Sequence, residues 1–289
     1  MNYFRSIVSF SVVFAFMAIA LTGCGSLTSS KTLLGKVEKT HTLTIAESAF
    51  APEDFQNPKT HQWTGYDVNI LRGFAKTLGA HLKMDPMPFS ASIQAVESKR
   101  TDITIDIFYT AARAKIISFS RPMLNYTNVV VVNSQHPAVS SATLSGLKGK
   151  KIAVQLGSAQ VPEAQKVPQA IVKQYSSVVD SFLVLSDGRV AAVFAADAFA
   201  AWAKKQNPSL HIKILGTVPP SISPPIASIR GYYGVPKGAY TRSFRKKLNA
   251  YLKKIASDGQ EQKILDKYGM SNPVFLQGIS SASNTYNNG

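Results

Sequence analysis

The sequence predicts an α/β protein of two lobes, each built on a mostly parallel sheet, joined by a hinge of two extended crossings. Three observations carry this. Strand-type and helix-type patterns alternate from Leu43 onward, the alternation breaks at an extended stretch from Tyr126 to Asn133, and it then restarts. A second extended run, Tyr232 to Val235, follows a proline-rich stretch and precedes a closing helix. Length and composition agree: 289 residues, 45% hydrophobic and 17% charged, make about two compact units of roughly 100 to 200 residues each. They exclude a disordered or collagen-like chain.

The elements follow in order. Leu43 to Ala46 reads as a strand, followed by a helix from Val68 to Leu78 with Asp67 as its N-cap and Gly79 as its stop. His81 to Met84 is a strand, Ile93 to Glu97 a short helix, and Ile103 to Phe108 a strand whose alternation sets Asp106 and Phe108 on one face. The carboxyl ends of such strands are where α/β sheets gather ligands. After the first crossing come a strand over Lys151 to Gln155, a helix from Gln160, a helix over Val179 to Leu185 closed by Gly188, a strand over Ala191 to Ala195, a helix over Ala198 to Lys205 and a strand over His211 to Leu215. Pro219, Pro220, Pro224 and Pro225 then forbid regular structure. In the last helix Phe244, Leu248, Tyr251, Leu252 and Ile255 recur at helical spacing among lysines and arginines. Two crossings between two lobes imply a cleft with a hinge behind it, suited to closing on a small ligand.

The amino terminus carries Arg5, an apolar run from Ile7 to Leu21, and Leu21-Thr22-Gly23-Cys24. That run is about 15 residues long, against the roughly 20 needed to span a bilayer. L-T-G-C resembles the bacterial lipobox, which implies removal of residues 1–23 and lipidation of Cys24, the one cysteine of the chain. Without a second cysteine there is no internal disulfide and no Cys-rich zinc site. Residues 24–40, rich in Ser, Thr and Lys, read as anchor and tether, and residues 277–289, rich in Ser, Asn and Gly, as a flexible tail. Lobe 1 is expected over 41–128 and 232–276, and lobe 2 over 129–231. The net charge of +16, from 32 Lys and Arg against 16 Asp and Glu, points in an exported chain to anionic lipid or wall polymers rather than nucleic acid.

Five blocks stand in a fixed order between Leu43 and Met270: Gly65-Tyr66-Asp67-Val68, Thr110-Ala111-Ala112-Arg113, Phe119-Ser120-Arg121-Pro122, Leu147 to Val154 with Gly157-Ser158, and Gly188-Arg189-Val190. On these blocks the chain resembles the bacterial family-3 extracytoplasmic solute-binding proteins. The resemblance implies a type II periplasmic-binding fold and a monomeric receptor at the cell envelope, without a cofactor, that closes on an amino acid or related carboxylate and delivers it to an ABC permease. It assigns Arg113 to the ligand α-carboxylate, a role that suits guanidinium because two parallel hydrogen bonds match a carboxylate. Thr110 caps the helix that bears it, whose N-terminal amides also favour an anion. An exposed helix arginine is the alternative. The opposite lobe offers the loop Gly157-Ser158-Ala159-Gln160, where Ser158 keeps a hydroxyl and Ala159 lacks the one usual in the family. Phe50 holds the place of an aromatic that covers the ligand, with plain core packing as the alternative.

Departures concern charge. The family's acid for the ligand α-ammonium falls by direct spacing on Ala196, whereas a shift of one residue puts Asp197 there; Asp197 equally suits a helix cap. Asp106 stands where relatives have a small or hydroxyl residue, so it could receive a cationic group, and Phe108 replaces a polar contact by stacking. A ligand-sensing lipoprotein is a second reading. A cyclohexadienyl dehydratase-like enzyme is a third, but Asp197 is the single acid from Ala196 to Trp202, where that relative places its catalytic glutamate. His41, His61, His81, His136 and His211 lack metal-ligand spacing, so no metal site is expected.

Overall fold

The computed structural model describes residues 31–223 and 229–282. Cys24, the leader, Pro224 and Pro225 lie outside the described residues. The first lobe opens with α1 (Leu33–Thr40) and β1 (Thr42–Glu47), then a small antiparallel pair, β2 (Phe55–Gln56) and β3 (Trp63–Thr64). It continues through α2 (Tyr66–Thr77), β4 (His81–Pro86), α3 (Phe89–Glu97), β5 (Ile103–Phe108), α4 (Ala111–Ile116), β6 (Ile117–Phe119) and β7 (Leu124–Asn125). The second lobe comprises β8 (Asn128–Asn133), α5 (Leu144–Leu147), β9 (Lys151–Gln155), α6 (Gln160–Gln165), β10 (Ile171–Tyr175), α7 (Val178–Ser186), β11 (Ala192–Ala196), α8 (Asp197–Gln206) and β12 (Ile212–Thr217). The chain returns to the first lobe as β13 (Arg230–Pro236), α9 (Arg242–Ser257) and α10 (Gln260–Asp266).

The strand orders are β4-β1-β5-β13-β6, with β7 also paired to β13, and β10-β9-β11-β8-β12. In each sheet the strand that has just crossed from the other lobe, β8 or β13, runs antiparallel to its neighbours, while β4, β1 and β5, and β10, β9 and β11, are parallel. β8 shows why a strand in this position is apolar through its middle: it reads Asn-Val-Val-Val-Val-Asn and is buried end to end. Val129 and Val131 enter one core cluster, Val130 and Val132 another on the opposite sheet face.

Several boundaries differ from expectation. Residues 33–40 are a helix rather than tether: Thr32 caps α1 through its side chain, and Leu33 and Val37, four residues apart on one face, are fully buried in the first lobe. The region 277–289 is not wholly a free tail, because Ile279 is buried and Arg121 donates to the carbonyls of Ile279 (2.6 Å) and Ser280 (3.0 Å). Arg230 and Gly231, expected in lobe 2, pair with Asn125 and Leu124 in the first sheet. Asp67 is not the cap of α2. Gly65 is, at φ 129°, because a Cβ there would overlap the Glu53 carbonyl; Asp67 lies buried in the first turn and accepts from Tyr233 Oη at 2.5 Å. β10 escaped the sequence because, as an edge strand, its Ile-Val-Lys-Gln-Tyr pattern is largely exposed.

Behind the cleft, one buried network ties α6 to both crossings. Asn128, just past the first, donates through Nδ2 to Glu163 Oε1 and Oε2 at 3.0 and 2.9 Å; Ser223, on the second, donates to Oε1 at 3.2 Å; Gln160 Nε2 donates to Asn128 Oδ1 at 2.8 Å. Burial pushes the Glu163 carboxyl up to about 7, against the lowering by these hydrogen bonds.

Candidate ligand-binding cleft

The cleft forms where the carboxyl ends of β1, β5 and β9 face each other across the lobes. Its lining is Ser48, Phe50, Glu53, Phe89, Ile105, Asp106, Phe108 and Arg113 from the first lobe, and Gln155, Ser158, Ala159, Gln160 and Phe199 from the second. Of the residues expected from sequence, Phe50, Asp106, Phe108, Arg113, Ser158, Ala159 and Gln160 meet here. Thr110 and Gly157 line the adjoining outer groove together with Arg113, Ser158 and Ala159. Asp197 lies elsewhere.

Arg113 spans the lobes. Nη1 donates to the Phe108 carbonyl at 2.7 Å and Nη2 to the Gly157 carbonyl at 2.9 Å, across the cleft, while its guanidinium carbon lies 5.4 Å from the Phe89 ring centre. The arginine is 7% exposed, and burial lowers it to about 10, so it remains a cation at neutral pH. Those two bonds use two of its five N–H donors. Thr110 caps α4 as expected, accepting from the Arg113 amide at 3.1 Å, but α4 is only six residues long. The arginine itself, rather than a helix dipole, therefore carries the positive charge of the site. On the facing loop, the Ser158 hydroxyl is buried without a partner, an arrangement that costs free energy unless a ligand supplies one.

Phe50 packs edge-on against Phe199 with ring centres 4.1 Å apart and joins the second lobe's core cluster, so it both lines the cleft and bridges the lobes. Phe108 tilts on Tyr126 at 5.3 Å. Phe199 and Phe89 complete an aromatic wall that sequence spacing did not reveal, since each sits within an ordinary helical pattern.

Asp106 belongs to a buried acidic group. Its Oδ2 accepts from Tyr66 Oη at 2.7 Å and from Tyr126 Oη, which also donates to Glu53 Oε1 at 3.3 Å; Asp106 Oδ1 is buried and unpartnered. One oxygen each from Glu53, Asp67 and Asp106 lie within 4.8 Å of one another, and all three residues are buried. Burial first, and then the neighbouring carboxylates, hold Glu53 and Asp67 well above the usual carboxylate range; Asp106 is also raised, by burial. An all-oxygen trio would suit a hard cation, but such ions take six or more ligands. Here the hydroxyls of Tyr66, Tyr126 and Tyr233 already occupy acceptor positions, as befits carboxyls that share protons. The available sequence signal for Glu53 was an acidic pair, Glu53-Asp54, directly after Ala49-Phe50-Ala51-Pro52.

Asp197 is neither a cleft residue nor the cap. Ala196 holds the cap position, and Asp197 opens α8 with its Oδ1 accepting from Ala198 N at 2.9 Å and from Thr127 N at 3.3 Å, where it secures the first crossing.

The model of the bacterial extracellular solute-binding proteins, family 3, matches residues 43–271. The chain belongs to this family. The chain is similar to the ABC transporter arginine-binding protein 1 of Escherichia coli (strain K12), 27% identical over 210 residues that cover 71% of this chain and 81% of that protein. The arginine-binding extracellular protein ArtP of Bacillus subtilis (strain 168) is 31% identical over 159 residues, 54% of this chain and 58% of the relative. Among solved structures, an ancestral arginine-binding protein bound to arginine superposes with a TM-score of 0.70 at 30% identity, covering 79% of this chain and 98% of that one. The family places its members outside the cytoplasm, and no helix among the described residues is long and apolar enough to cross a membrane.

Proposed function

We propose that the chain is a lipoprotein receptor, anchored through Cys24, that captures an amino acid with a cationic end, closes its lobes over it and delivers it to an ABC permease. The observation that carries this reading is the cleft itself: a buried arginine reaches from α4 to the opposite lobe, while Glu53 and Asp106 line the same aromatic-walled space. Arg113 takes the ligand carboxylate, exchanging its bond to the Gly157 carbonyl or sharing it. Ser158 supplies its unpartnered hydroxyl from the other lobe. Glu53 and Asp106, the two acids that line the cleft, receive the cation, Asp106 through its unpartnered Oδ1, a role left open by Ala196 and by the engagement of Asp197 with Thr127. Ligand contacts on both lobes favour the closed form, which is the form a permease would recognise. Relatives named for arginine make arginine the first candidate.

We read the cleft as binding its ligand without chemical change. The acid nearest the position used by dehydratases, Asp197, is turned to the crossing rather than to the ligand. The test is a thermal-shift panel of arginine, lysine, histidine, cystine and glutamate, followed by recovery of the ligand. Stabilisation by arginine or lysine, with the ligand recovered unchanged, supports the reading. A response to glutamate alone would overturn the cationic assignment, and a converted ligand would overturn the binding role.

A further inference from the structure

The outer face of α9 is basic to a degree that helix stability does not explain. Six of its sixteen residues, Arg242, Arg245, Lys246, Lys247, Lys253 and Lys254, are cations and none is an acid. Arg242 and Lys246 stand in its first turns, where the positive end of a helix dipole disfavours cations. Lys247 pairs with Glu38 at 3.0 Å and Lys254 with Asp258 at 2.7 Å, whereas Arg242, Lys246 and Lys253 fall within about 40° of one another on a helical projection and form one exposed stripe. Lys99, exposed, extends the patch beside the start of the helix, with Nζ 4.7 Å from the Tyr240 ring centre.

Position gives this stripe its meaning. α1 packs on α9, fastened by the Glu38–Lys247 pair. The chain therefore enters the folded body beside the basic face. Because Leu33 already belongs to the core, eight residues, 25–32, rather than sixteen separate Cys24 from the body. A connection of that length spans at most about 30 Å. We propose that the α9 face is a docking surface for anionic lipid headgroups, and that it seats the first lobe on the membrane that holds the Cys24 anchor. A lipid anchor supplemented by a polybasic patch is a stronger membrane attachment than either alone. Contact through the first lobe leaves the second free to close. The geometry of the seat rests on the Cys24 anchor proposed above, but the affinity of the face for lipid does not.

The test uses the chain from residue 24 with Cys24→Ser, so that no acyl group contributes, in co-sedimentation with vesicles. Binding is expected to phosphatidylcholine vesicles containing phosphatidylglycerol, not to phosphatidylcholine alone, and it should weaken as salt rises. Arg242→Gln, Lys246→Gln and Lys253→Gln together should lower the partition coefficient about tenfold or more. The equal-charge change Lys151→Gln, Lys173→Gln and Lys213→Gln on the exposed surface of the second lobe should leave it near the starting value. Indifference to phosphatidylglycerol, equal loss from the second-lobe variant, or preferential capture by soluble polyphosphate would overturn the proposal. Arginine binding measured on the same variants reads the cleft separately, so failure of the docking face is distinguished from failure of the receptor assignment.

Discussion

Asp106 and Gly231 show how one unusual side chain constrains its neighbour. Asp106 sits at φ 37° within β5, and Gly231 lies on neighbouring β13, paired with Phe108, where a Cβ would overlap Asp106 Oδ1 and crowd the Tyr126 ring. Gly231→Ala is therefore expected to destabilise the protein by about 1 to 3 kcal/mol by overpacking. In a double-mutant cycle, Asp106→Ala should relieve part of that loss, with a coupling of about 0.5 to 3 kcal/mol. Chemical denaturation of the four proteins measures it, and strict additivity would contradict the packing described. Asp106 was legible as a departure from the family pattern, but the tyrosine hydroxyls that hold it come from α2 and from the first crossing. Their meeting depends on tertiary placement that no local spacing encodes.

The elements divide into those whose pattern announces them and those whose role depends on a partner. β1, β5, β8, β9 and β11 are central strands, announced by apolar runs in β8, β9 and β11 and by alternation in β1 and β5. α1 did not stand out because its surroundings, Ser, Thr and Lys, look like linker and its buried residues are few. Leu33 is nonetheless fully buried. Leu33→Ala is expected to cost about 2 to 5 kcal/mol, which a shift in the urea midpoint would register; a change within error would restore α1 to the tether. The loop Gly157-Ser158 was legible for a different reason, its likeness to a family motif. It follows β9 after Leu156, so the strand end delivers it to the candidate cleft. By contrast, Gln155, Phe89 and Phe199 face the cleft from within regular elements, where sequence shows a face but not what it faces.

Across the molecule, buried carboxyls set an unusual response to pH. Burial raises Glu163 to about 7 and Glu261 to about 8, from 4.5, with Arg121 partly opposing the shift at Glu261. The folded chain thus keeps protons that the unfolded chain has released, and the stability they contribute is fully present below about pH 4.5. It declines as pH rises through 7 and 8, by on the order of 3 to 5 kcal/mol for each group. The melting temperature should accordingly fall between pH 5 and pH 9, and Glu261→Gln should flatten the decline. A melting temperature that rises over this range would contradict the burial described. The two-lobe architecture itself was the most legible feature, since it follows from the order of alternating patterns and two extended crossings. The acidic interior of the first lobe was the least, because acids dispersed from Glu53 to Glu261 converge only in the fold.

The central claim is that a carboxylate-bearing ligand is held between the lobes by Arg113. Isothermal titration of arginine into the wild type and Arg113→Ala tests it most directly. The account predicts saturable one-to-one binding to the wild type and a loss of about 2 to 5 kcal/mol in the variant, with the two proteins unfolding at similar temperatures. Equal affinity in the two proteins would contradict it.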